Sequence, residues 1–102
     1  MVSHDRHTLR KMSEDAAQAL AVDALTYLSS QPELMQRFLA LSGIDASRIR
    51  LAAKEPHFLA GILKFFLAHE PTLLAFSAAT NTPPQQVGAA LAALPGGLDY
   101  SE

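Results

Sequence analysis

A chain of 102 residues that is 49% hydrophobic and 18% charged has room for one core and is too apolar to remain disordered. Eight Lys and Arg against ten Asp and Glu leave a formal charge of −2, so no global field draws polyanions and nucleic acid is not the expected partner. The absence of Cys excludes disulfides, thiolate nucleophiles and Cys-based metal centres. Between Met1 and Leu20 the residues Asp5, Arg6, Arg10, Lys11, Glu14 and Asp15 interrupt any apolar run. No secretory signal is read there, and a cytoplasmic protein is expected.

Residues 1–12 are polar and aperiodic and read as a flexible tail. Ser13 is a good N-cap for a first helix, with Glu14 and Asp15 at the favourable end of its dipole. Ala17, Leu20, Ala21, Ala24 and Leu28 then recur at helical spacing as far as Ser29 and Ser30. Pro32 opens a second helix, whose apolar face is Leu34, Met35, Phe38, Leu39 and Leu41, and Gly43 stops it. Asp45 caps a short third helix with Ile49, Ala52 and Ala53 inward and Arg48, Arg50 and Lys54 wet.

Pro56 starts a fourth helix in which Lys64 is the only charge from Phe58 to Ala68. A helix apolar nearly all round is a central core element. At ~21 Å it is too short for a membrane core of ~30 Å. Pro71 opens a fifth helix through Leu73, Leu74, Phe76 and Ala79, ended by Asn81. Thr82-Pro83-Pro84-Gln85 reads as a capping box for a sixth through Val87, Leu91 and Leu94. Pro95-Gly96-Gly97 then terminates the pattern.

The helix opened by Pro32 and closed at Gly43 is echoed about forty residues later by the one opened by Pro71 and closed at Asn81. The expected fold is therefore all-α: a compact bundle of six short helices, with two related helix-turn-helix units around a central apolar helix. Its single domain spans 13–95, with a frayed tail over 96–102. The runs Arg37-Phe38-Leu39-Ala40-Leu41-Ser42-Gly43-Ile44-Asp45, Glu55-Pro56-His57-Phe58-Leu59 and Leu73-Leu74-Ala75-Phe76 resemble a family of short alphaproteobacterial proteins catalogued as a domain of unknown function. The resemblance covers Ala19 to Leu94, and the Phe-Leu-Ala-Leu-x-Gly-Ile-Asp run is its most specific part. The chain departs from the family at Asn81-Thr82-Pro83, where a Gly-Leu-Asp type of turn would stand. Membership implies a small all-helical bacterial cytoplasmic protein and carries over no catalytic residue.

Candidate sites are few. Leu39, Gly43, Ile44 and Ile49 fall near the spacing of a DNA-reading helix-turn-helix, and Arg37, Arg48, Arg50 and Lys54, with Lys64 if it shares their surface, could contact phosphates. The matching part of the second unit, from Pro84 to Ala90, carries no positive charge, so the ordinary reading is a pair of core-packing corners. His4-Asp5-Arg6-His7 has ligand types on a tail and reads as solvated rather than metal-binding. His57 reads as a first-turn surface residue and His69 as a cation at the carbonyl end of the fourth helix. Ser77 has no His nearby in sequence and reads as a packing residue bonded to its own backbone. No catalytic, cofactor-binding or metal-binding residues emerge, and no cofactor is expected.

What remains is an apolar surplus. Phe58, Leu59, Ile62, Phe65, Phe66, Leu73 and Phe76 are the pool from which an exposed protein-binding or self-association surface is expected, and that surface is the expected function.

Overall fold

Local signals in the sequence set most of the helix ends in the computed structural model, which describes residues 12–97. The Ser13 side chain accepts from the Ala16 amide at 3.1 Å and opens α1, Glu14–Ser29. α2 is Pro32–Ser42, with Pro in its first turn. A 3-10 turn, Ala46–Arg48, is capped by Asp45 and leads into α3, Ile49–Ala52. α4 is Pro56–Leu67, α5 is Glu70–Thr80 and α6 is Pro84–Ala93. No strand occurs among the described residues.

The two corners of the repeat close as the sequence requires. Gly43 has φ 75° and Asn81 φ 57°, both left-handed. The Gly43 amide donates to the Leu39 carbonyl at 2.9 Å, and the Thr82 amide reaches back to the Ser77 carbonyl at 3.0 Å. These bonds satisfy carbonyls that each helix end would otherwise leave without a partner. The second helices start differently from one another. Asp45 caps as expected, whereas Thr82 forms no capping box: its hydroxyl pairs with the Thr80 hydroxyl at 2.9 Å, and Pro83 stands at the cap position. Two consecutive prolines fix the approach to α6 without a side-chain cap.

α4 is central. It packs against α1, α5 and α6, while α1 packs chiefly against α4 and α6. Ala17, Ala21 and Ala24 of α1 and Ala90 of α6 are fully buried, so small side chains line the inner faces of these two helices. Into the remaining space project Leu28, Ile62, Leu63, Val87, Leu91 and Leu94. Phe66 and Phe76 are completely enclosed, with ring centroids 5.2 Å apart, and Tyr27 meets Phe76 edge-on at 5.7 Å.

This arrangement corrects the expected location of the apolar surplus. Phe58, Leu59, Ile62, Phe66 and Phe76 belong to the core, and only Phe65 and Leu73 of the pool are partly exposed. α1, α5 and α6 enclose α4 on three sides, which a count of apolar residues does not reveal.

Two residues assigned to the expected tails pack against the domain. Met12 lies against the core, and the turn after α6 includes a buried Gly97. Its amide donates to the Leu94 carbonyl at 2.9 Å, and a Cβ there would overlap the Leu91 carbonyl oxygen. The remainder of the expected tails, 1–11 and 98–102, lies outside the described residues.

Two hydroxyls in the apolar interior fare differently. Thr72 is buried, and its Oγ1 lies 2.6 Å from His69 Nδ1. His69 thus serves the start of α5, where it is the cap residue, and not the carbonyl end of α4. Ser77 Oγ is buried with no hydrogen-bond partner among the described residues, so the expected bond to its own backbone is absent.

Burial of this kind gives opposite signs to two substitutions. Phe66→Ala removes an enclosed ring and is expected to lower unfolding free energy by about 3–5 kcal/mol. Ser77→Ala deletes an unsatisfied hydroxyl and is expected to raise it by about 1 kcal/mol. Urea unfolding of both variants followed by circular dichroism checks the pair.

Candidate functional site

α4 has a second face, away from α1 and α6. His57, Gly61, the adjacent Lys64 and Phe65, and Ala68 lie three or four residues apart along the helix and so form one stripe. Opposite that stripe stand Phe38, Leu41 and Ser42 of α2 and Ile44 of the corner that follows it. Together with Phe58 they enclose a groove of about 490 Å³.

The walls are aromatic. The Phe38 ring meets Phe58 edge-on at 5.8 Å and Phe65 at 5.3 Å. Phe38 is also the one buried side chain of α2. Leu41 stands at the lip with 73% of its surface exposed. Among the described residues, Lys64 and His57 are the ionisable groups lining the groove, and none of the lining side chains is acidic. The imidazole of His57 also lies over Gly96 in the turn after α6, so this end of the groove abuts the C-terminal turn. The expectation that His57 is a surface residue holds.

Ile44 also borders a second cleft, of different character. Gly43, Asp45, Arg48, Leu51 and Glu55 border it, and Leu51 is 67% exposed. Two acids and one arginine give this cleft mixed charge. A third cleft, between the start of α2 and the start of α5, is bordered by Tyr27, Glu33, Arg37 and Thr72.

The basic residues expected from the sequence are therefore dispersed. Arg37 borders the third cleft, Arg48 the mixed one and Lys64 the apolar groove, while Arg50 and Lys54 are exposed on and after α3. α3 is a single turn of four residues, about 6 Å long, against the several turns with which a recognition helix fills a major groove. The corresponding helix of the second unit, α6, turns Val87, Ala90 and Leu91 into the core.

Among the described residues no three His, Asp or Glu side chains gather as metal ligands. His4, Asp5 and His7 lie outside those residues. No single described helix is long and apolar enough to cross a membrane; α4 and α5 reach that hydropathy only together, across a bend of 108°.

Sequence reasoning had placed Leu41 on the apolar face of α2 and had not singled out Gly61. A signal was present in both. A glycine inside a helix without a turn or close packing to explain it marks open space, and Leu41 lies one turn beyond Phe38 at the end of its helix.

No curated protein and no solved structure gives a significant match to the chain. A family model described as "Protein of unknown function (DUF3572)" matches residues 14–97, which corresponds to the packed helical unit from the first turn of α1 to the buried Gly97. The chain belongs to the DUF3572 family.

Proposed function

We propose that the protein is a non-enzymatic interaction module whose α2–α4 groove receives an apolar helical segment of a partner protein, with acidic side chains along that segment's margin. The observation that carries the reading is Leu41, 73% exposed at the lip of a groove walled by Phe38, Ile44, Phe58 and Phe65. Covering a leucine of this kind is worth roughly 1.5–3 kcal/mol, and Phe65, the partly exposed ring of the walls, adds contact area. A cluster of this type at the centre of a contact is where binding energy concentrates.

The form of the partner follows from the form of the groove. The described fold offers no strand edge to extend, so pairing by an added strand has no template, and two helices flanking an apolar trough suit an amphipathic helix. The charge of the partner follows from the rim. Lys64 and His57 offer nitrogen donors, with no carboxylate among the described lining residues, so acidic side chains complement them and basic ones do not.

The test is a titration of the isotopically labelled full chain, followed by NMR, with a synthetic amphipathic helical peptide bearing Leu and Phe on one face and Glu along its margin. Saturable shifts are expected at Leu41, Gly61 and Lys64, with binding weakened by salt. Leu41→Glu, at an exposed position that leaves the core intact, is expected to abolish them. A Lys-margined version of the peptide should bind at least about tenfold more weakly. Saturation at residues remote from the groove, or no saturable binding by the Glu-margined peptide, would overturn the reading. A dimer in sedimentation that Leu41→Glu dissociates would overturn it too, by assigning the groove to a second copy of the chain.

A further inference from the structure

Gly61 is at odds with its setting. It sits in the interior of α4, where glycine is the least favoured residue after proline. Its backbone does not demand glycine, because the described glycines with positive φ are Gly43 and Gly96. Packing does not demand it either: a Cβ at Gly61 would meet no atom within 4 Å, whereas at Gly96 or Gly97 it would collide. Gly88 is similarly unhindered, but it lines none of the clefts described above. With conformation and packing removed as reasons, what Gly61 contributes is the vacant volume over it.

That volume is placed at the middle of the groove. On the α4 stripe His57 lies one turn before Gly61, and Lys64 and Phe65 one turn after, with Phe38 and Phe58 also lining the space. We infer that Gly61 is the specificity-determining position of the groove: its missing side chain leaves a socket for one bulky apolar anchor of the partner helix, whose neighbouring carboxylate then reaches Lys64. This inference rests on the interaction reading above and adds to it the anchor and its seat. A residue with a side chain at 61 fills the socket from below, so selectivity for a large anchor is lost as the side chain grows.

The experiment uses the full chain as wild type, Gly61→Ala, Gly61→Leu and Leu41→Glu. Each is titrated calorimetrically with two Glu-margined amphipathic peptides that differ only at the central anchor, Phe in one and Ala in the other. Wild type is expected to prefer the Phe-anchored peptide by about tenfold or more. Gly61→Leu is expected to bind that peptide about tenfold more weakly and to treat both peptides nearly alike, with Gly61→Ala between the two. The coupling between anchor and position 61 is the readout that a merely structural glycine would not produce. Thermal unfolding gives a second readout, since Gly61→Ala should raise the midpoint by about 4–8 °C while weakening binding.

If Gly61→Leu keeps the wild-type preference while Leu41→Glu abolishes binding, the socket is wrong and the groove reading stands. If wild type binds neither peptide, both fall. Should Gly61→Leu not fold, the same coupling measured on Gly61→Ala decides, and an undiminished preference there overturns the socket.

Discussion

All five phenylalanines of the chain and Tyr27 belong to one connected series of ring contacts, and the architecture depends on it. From the groove inward the series runs Phe58, Phe38, Phe65, Phe66, Phe76 and Tyr27, with neighbouring centroids between 5.2 and 5.9 Å apart. Most of these contacts are edge-on, the orientation that sets the positive rim of one ring against the negative face of the next. The rings come from α1, α2, α4 and α5, so a single run of contacts ties four helices together. α6 joins by another means, pressing Val87, Ala90 and Leu91 against the alanine-rich face of α1.

Small side chains and large ones thus divide the work around α4. On the α1–α6 side, alanines let helices settle closely. On the α2 side, aromatic rings hold the helices apart, and the gap between them is the groove. The same helix is therefore a core element on one face and a groove wall on the other. That dual role explains its composition: Leu59, Ala60, Ile62, Leu63 and Phe66 turn inward, while His57, Gly61, Lys64 and Ala68 follow the outer stripe.

Much of this was legible in the sequence because helix ends are governed by local chemistry. Ser13, Pro32, Gly43, Asp45, Pro56 and Asn81 each carry a conformational preference strong enough to act without tertiary help, and all six act as read. Thr82, His69 and Ser77 were misread because their partners depend on how two segments meet. Thr82 is drawn to Thr80, His69 is claimed by the start of the next helix, and Ser77 is stranded by the packing around it. The larger misreading concerned Phe58, Leu59, Ile62, Phe66 and Phe76. Periodicity reveals that α4 is apolar on most sides but not which sides find neighbours, and the three helices that cover it meet it only in the folded state. The groove was hidden for the same reason, since its two walls are contributed by α2 and α4, separated in sequence by the α3 corner.

Phe38 gives α2 an unusual attachment. It is the only buried side chain of that helix, and α3 has none, so the stretch from Pro32 to Ala52 is held by one buried ring together with the partly covered Leu34, Met35, Leu39, Ile44 and Ile49. Withdrawing that ring would release a flap of 21 residues, Pro32 to Ala52, while α1, α4, α5 and α6 kept their mutual contacts. This lightly anchored segment is one bank of the molecule's own trough, and a guest lying in that trough would act as a rivet, holding the flap to the body.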